Sequence, residues 1–310
     1  MLRKLIVCSA LIAYALPSAA TTRFSFAVIP HPAVAARAEA GLREAIRETD
    51  ADDLAFVVAN GIKAADEPCS DALYAERAAL LKSAQNGLVV SLAATDWTGC
   101  KDENGRSAAI GRLSRLRDLL FPSEFSFGAS RIPIMHQSTI PRFRRYAENM
   151  RWEIGGIMFA TIDLPGDNNH YLFEAGRNSE FEDRVIANRN WLHRLFSYAR
   201  YQQLKGIVLF ADGNPLPPAA SGSVRRDGYL ETRRQLLALS AQFPGRILVV
   251  HNPTGQRRSS SPAILWHDRL GELEAAPPWT KITVDIAEPA LFSVAPCAFP
   301  PAFPPDYAAH

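Results

Sequence analysis

The chain has 310 residues, 47% of them hydrophobic and 21% charged. That composition excludes an intrinsically disordered chain and supplies a packed core for one large domain or two small ones. Lys and Arg number 34 against 32 Asp and Glu, so no general electrostatic grip on nucleic acid or anionic lipid is expected.

The first twenty residues read as an export signal. Arg3 and Lys4 form a charged start, Leu5 to Ala15 an apolar stretch, and Ser18-Ala19-Ala20 a small-residue cleavage site. So short an apolar run falls below the roughly 20 residues a spanning helix needs. Val7 before Cys8 is a poor residue for lipoprotein processing. The expectation is a mature chain from about Thr21, periplasmic or secreted, with no transmembrane segment. Losing Arg3 and Lys4 leaves 32 basic residues against 32 acidic ones. Cys69, Cys100 and Cys297 survive processing into an oxidising compartment, where a disulfide is expected. Cys69 and Cys100 lie in polar loops and make the better pair, with three free thiols as the alternative.

Taken in chain order, Arg23 to Ile29 is a β run stopped by Pro30 and Pro32. A helix follows, with Val34, Ala38, Leu42, Ala45 and Ile46 on one face. Leu54 to Ala59 reads as a strand buried on both faces. A helix over Asp71 to Ala84 and a strand over Gly87 to Leu92 complete a β-α-β-α-β opening, which predicts a layered α/β fold. Ala108 to Leu120 is an Arg-rich amphipathic helix. Arg151 to Leu164 gives two β runs around Gly155-Gly156, a hairpin signal. The longest helix spans about Ser179 to Gln203, with Phe181, Val185, Leu192, Leu195, Phe196 and Ala199 on its buried stripe. A strand at Gly206 to Phe210, a helix near Tyr229 to Gln242, and strands at Arg246 to His251, Ala263 to His267 and Lys281 to Ile286 follow. The proline-rich tail after Pro289 is expected to lack regular structure. The reading is a signal over 1–20, one domain over 21–292 and a tail over 293–310.

Ligands of α/β sheets bind at the carboxyl ends of strands. Those ends carry Pro30-His31-Pro32, Asn60-Gly61-Ile62-Lys63, Ala93-Ala94-Thr95-Asp96-Trp97 and Asp163 to His170. The later ones carry Ala211-Asp212-Gly213-Asn214-Pro215 and His251-Asn252-Pro253-Thr254-Gly255. Polar groups gather there, but carboxylates are sparse. No nucleophile elbow and no Gly-rich phosphate loop is present.

Several ordered stretches, Pro68-Cys69-Ser70-Asp71, Asp96-Trp97-Thr98-Gly99-Cys100, Glu148 to Trp152, Pro165 to Asn169 and Asn190-Trp191-Leu192, are together specific. In them the chain resembles an exported bacterial branch of the calcineurin-like metallophosphoesterases, from about Phe24 to Phe292. The resemblance implies an α-β-β-α sandwich of mixed sheets and a site for two divalent metals held by Asp, Asn and His at strand ends. Such metals polarise a phosphate and generate a hydroxide nucleophile.

The ligands themselves are largely missing. The first family loop should carry Asp, where this chain has Pro30-His31-Pro32. The bridging Asp of Gly-Asp-Ile-Lys falls on Gly61. In the family's Gly-Asp-Asn-Glu-Trp loop, the Asp falls on Ala94 and the Asn on Thr95. In its His-Gly-Asp-Thr-His loop, His251 and Thr254 match and Gly255 stands where the last His belongs. The resemblance therefore implies a degenerate member, a pseudo-phosphoesterase that acts by binding an unknown small molecule or protein, with no cofactor expected. The alternative is a divergent phosphoester hydrolase with a rebuilt one-metal or metal-free site, manganese being a candidate ion. The ligand-like remnants are His31, Asp96, Asn168, Asp212 and His251, of which such a site would recruit His31, Asp96, Asp212 and His251. A third possibility is an interaction protein whose cleft is filled by its own side chains.

Overall fold

Alternating buried residues sort the strands into two sheets that share one core, in a computed structural model describing residues 22–172, 178–218, 226–253 and 262–294. The signal segment, Thr254 to Ser261 and Cys297 lie outside the described residues. The first sheet contains β1 (Arg23–Pro30), β2 (Val57–Asn60) and β3 (Leu88–Ser91), flanked on the β1 side by β11 (Thr280–Asp285) and β12 (Phe292–Val294). The second runs in the order β4 (Met135–His136), β5 (Met150–Ile154), β6 (Ile157–Thr161), β7 (Gly206–Phe210), β8 (Arg246–His251), β10 (Leu270–Glu274) and β9 (Leu265–His267). β1 to β3 are mutually parallel, as are β6, β7, β8 and β10. Antiparallel strands close the flanks.

Side chains of a strand alternate between faces. Ile157, Phe159, Val208, Phe210, Leu248 and Val250 pack toward the first sheet's Phe26, Val28 and Phe56. Their neighbours Met158, Ala160, Ile207, Leu209, Ile247 and Val249 form a second cluster with Trp191, Leu195, Phe196, Leu236 and Phe243. Those last five lie on or beside α6 (Ser179–Tyr201) and α7 (Leu230–Gln242). On the other side α1 (Ala38–Asp50), α2 (Asp71–Lys82) and α4 (Ala109–Leu120) bring Leu42, Ile46, Leu81, Leu113 and Leu116 into the first cluster. Helices therefore cover both outer faces, giving the α-β-β-α layering. Between the sheets, Trp152 stacks on Phe210 at 5.9 Å and meets Phe56 edge-on at 5.3 Å. Such pairs add to the area they bury.

The expected elements are present, with small shifts at their ends. Gly155 and Gly156 both have positive φ, +58° and +75°, as the tight β5–β6 hairpin requires. Val34 departs from the reading: it is half exposed and precedes the helix, whose buried face is Ala38, Leu42, Ala45, Ile46 and Thr49. The region after Pro289 also differs, because Phe292–Val294 pairs with β11 and buries Phe292. A three-residue strand carries no readable period. No described helix is long and apolar enough to cross a membrane.

Candidate functional site

The carboxyl ends of β1, β2 and β3 meet those of β6, β7 and β8 along one edge of the sandwich. Two buried asparagines stitch the sheets together there. Asn60, at the end of β2, donates its amide to Ala211 O at 2.7 Å. Asn252, just after β8, donates to Asn60 O at 2.9 Å and to Asp212 Oδ1 at 2.7 Å. Its own Oδ1 accepts the His31 N–H at 3.4 Å. Asp212 Oδ2 accepts the N–H groups of Ala94 and Gly166, each at 2.6 Å.

Asp96 belongs to a single turn, α3 (Ala94–Trp97). Its carboxylate is fully buried and ties three backbone amides, those of Ile62 (2.9 Å), Lys63 (3.2 Å) and Ala93 (2.8 Å). Burial outweighs those bonds and pushes its pKa up to about 6, with nearby Asp212 adding to the rise. Lys63 is buried beside it, its ammonium on the carbonyls of Ala64 and Thr95 at 2.8 and 2.7 Å. Burial lowers the pKa of that amine. The Cys69–Cys100 disulfide, with Cα atoms 5.7 Å apart, fastens the segment after β2 to the end of this turn.

A second turn, α5 (Gly166–Asn169), follows β6. Asp167, Asn168, Asn169 and His170 all have positive φ, between 49° and 59°. Asp and Asn bear that left-handed conformation better than other non-glycine residues. Asn168 is engaged with the neighbouring loop, donating to Arg226 O at 2.9 Å and accepting the Gly228 N–H at 2.8 Å. His170 meets the buried Trp97 ring edge-on at 4.9 Å, and burial lowers its pKa.

Beneath the turn lies Arg184, fully buried, which donates to Asn169 Oδ1, to Asn169 O at 3.0 Å and to Glu180 at 2.7 Å. Asp163 stands 3.8 Å from its Nε with neither carboxylate oxygen accepting a hydrogen bond. Burial drives the Asp163 pKa up, against the pull of Arg184. Asn149 joins the same region, donating to Gln137 at 2.7 Å and Asn188 at 3.0 Å and accepting the Asp163 N–H at 2.9 Å.

Of the five ligand-like residues, the hydrogen bonds bring His31 and Asp212 together through Asn252. The adjacent amides of Ala93 and Ala94 link Asp96 to Asp212. His251 is buried with Nδ1 against Asn252 O at 2.8 Å, and burial lowers its pKa. Asn168 bonds instead to Arg226 and Gly228. Asn149 lies in the Glu148 to Trp152 stretch that carries the resemblance, whereas Asn60, Arg184 and Asn252 were not singled out as site residues from the sequence. Asn60 closes the apolar β2 and Asn252 comes just after β8, so each is a polar residue at the end of a buried strand.

These residues do not fit two divalent metals. At Gly61, φ is +99°, and a Cβ would lie 2.5 Å from the His31 Cβ and 2.8 Å from the Ala93 Cβ, leaving no room for a carboxylate. The oxygens of Asp96 and Asp212 already face N–H donors. Among the described residues no group of three or more His, Cys, Asp or Glu is placed to share an ion. The chain's own polar groups hydrogen-bond to one another across these strand ends. Two surface cavities, of about 510 Å³ at Ser107 to Arg112 and about 280 Å³ between α6 and α7, include none of the strand-end residues.

No family model matches the chain, and no curated protein does. Among solved structures the chain is similar to a dimetal phosphatase from Danio rerio, at 10% identity over 84% of this chain and 92% of that one, with a TM-score of 0.48. That likeness is too slight to transfer any residue's role.

Proposed function

We propose that this protein is an exported, catalytically degenerate relative of the calcineurin-like metallophosphoesterases that acts by binding. The order of motifs in the sequence supports the kinship. The observation that carries the loss of chemistry is Gly61. The position of the bridging carboxylate has no side chain, and the space one would need is taken by His31 and Ala93. A two-metal phosphoesterase needs anionic ligands to hold two dications about 3.5–4 Å apart. Here the carboxylates nearest that point serve as acceptors for backbone amides, which fixes the loops instead of an ion.

Export is supported by the N-terminal pattern of charged start, apolar run and small-residue cleavage site, together with the Cys69–Cys100 bridge. The test is turnover of a generic phosphodiester such as bis(p-nitrophenyl) phosphate by pure mature protein with excess manganese. The reading expects no rate above the buffer and metal blank. Turnover that scales with protein concentration and disappears with chelator would overturn it.

A further inference from the structure

The sequence holds three Asn-Gly pairs, Asn60-Gly61, Asn86-Gly87 and Asn104-Gly105. A glycine after asparagine leaves the next backbone nitrogen with no Cβ to shield it. That nitrogen can then close on the asparagine's own side-chain carbon wherever the surrounding chain lets it. The fold treats the three pairs differently. Asn60 is buried at the end of β2, its amide on Ala211 O at 2.7 Å, and the Gly61 N–H is tied to Ser91 O at 2.8 Å. Asn86 leads into β3 and donates its amide to Thr49 O at 2.8 Å and its N–H to Asp50 Oδ1 at 3.0 Å. Gly87 is buried, and a Cβ there would lie 2.5 Å from Ser130 O. Ring closure at either pair has to break anchored hydrogen bonds or move closely packed groups.

Asn104 lies in an exposed loop over residues 101–107. The loop is closed at its base by the Lys101–Ser107 bridge and by the Ala108 N–H on Cys100 O at 2.9 Å. The Asp102 carboxylate accepts the N–H groups of Asn104 at 2.9 Å and Arg106 at 2.8 Å. Among the described residues the Asn104 side chain has no partner. The Gly105 N–H makes one turn bond, to Asp102 O at 2.9 Å, and a Cβ on Gly105 would meet nothing within 4 Å. Such a loop opens at far lower cost than a strand end in the core.

We infer that Asn104 is a self-modification site, where the Gly105 nitrogen closes on the Asn104 side-chain carbon and expels ammonia, while Asn60 and Asn86 stay intact in the folded chain. The new bond joins Gly105 N to Asn104 Cγ, the Cγ–Nδ2 bond breaks, and the nitrogen's proton leaves with the ammonia. Water then opens the five-membered imide at either carbonyl, giving aspartate or isoaspartate. No oxidant, metal or second protein is needed. The product adds a negative charge beside Asp102 and Glu103, and isoaspartate also lengthens the loop by one backbone carbon.

The test is peptide mapping of mature protein, Thr21 to His310, held folded at mildly alkaline pH, with a reduced sample in urea alongside. In the folded chain deamidation at Asn104 should run at least about tenfold faster than at Asn60 or Asn86. In urea the three rates should converge to within about threefold, since only the fold separates them. Both aspartate and isoaspartate should appear at position 104. Three results overturn the inference: Asn60 or Asn86 keeping pace in the folded chain, Asn104 staying intact while the unfolded chain reacts, or aspartate as the sole product, which means direct hydrolysis without the ring.

Discussion

Gly61→Ala places one methyl group where the account says none fits. Its Cβ would lie 2.5 Å from the His31 Cβ, 2.8 Å from the Ala93 Cβ and 3.4 Å from the His31 Cα. Contacts below 3.0 Å force a shift, and both nearest atoms are Cβ atoms anchored to backbone, so neither can rotate away. The φ of +99° adds a second cost, since an L side chain there loses about 1–2 kcal/mol. Overpacking adds about 1–3 kcal/mol, giving a destabilisation of about 2–5 kcal/mol. The assay is urea unfolding of mature protein followed by tryptophan fluorescence, comparing midpoints at constant m-value. A second variant, Gly61→Ala with Ala93→Gly, removes one of the two collisions and should recover about 1 kcal/mol. A single variant within about 0.5 kcal/mol of wild type would show that the cleft has room for a side chain, and the steric argument against a bridging carboxylate would fail.

Other predictions follow from the same contacts. Replacing Cys69 and Cys100 together by Ser should cost about 3–4 kcal/mol in urea unfolding, because the bridge closes a 31-residue separation; a loss below about 1 kcal/mol would contradict a constraint on the unfolded chain. The folded Asp96 carboxyl has its pKa raised to about 6 by burial, above the usual value of about 3.9. The folded state therefore holds the proton more tightly, and the stabilisation is full below about pH 4 and lost as pH rises through about 6. Across that window wild type should lose about 3 kcal/mol more than Asp96→Asn, and equal slopes would refute the assignment. Arg184→Met strips Asp163 and Glu180 of their buried cation and should cost about 3–5 kcal/mol. Adding Asp163→Asn should restore part of it in a double-mutant cycle, and strict additivity would deny the coupling.

Much of the fold was legible because the long elements carry a period. Residues 54–59 and 247–250 are continuous apolar runs, as strands between two layers must be, and the α6 stripe from Phe181 to Ala199 repeats at helical spacing. What escaped notice was short or atypical. β4 has two residues and β12 three, and β10 reads Leu-Gly-Glu-Leu-Glu, with Glu272 and Glu274 half-exposed on its outer side. The strand-end loops were readable as a site, since parallel strands deliver their ends to one edge. The bonding within it was not. Asp212 takes an amide 118 residues away and Asn252 reaches back 192 residues to Asn60, and no local pattern encodes such partners. Arg184 likewise sits on a helix whose apolar stripe conceals it, and only packing reveals that it is buried against Asp163.

The central claim is that the strand-end cleft no longer holds two metals. Its most direct test is the metal content of mature protein, Thr21 to His310, after incubation with excess manganese and desalting. The account predicts retention near zero per chain. Retention near two per chain would mean that the missing ligands had been replaced from neighbouring loops, and would contradict it.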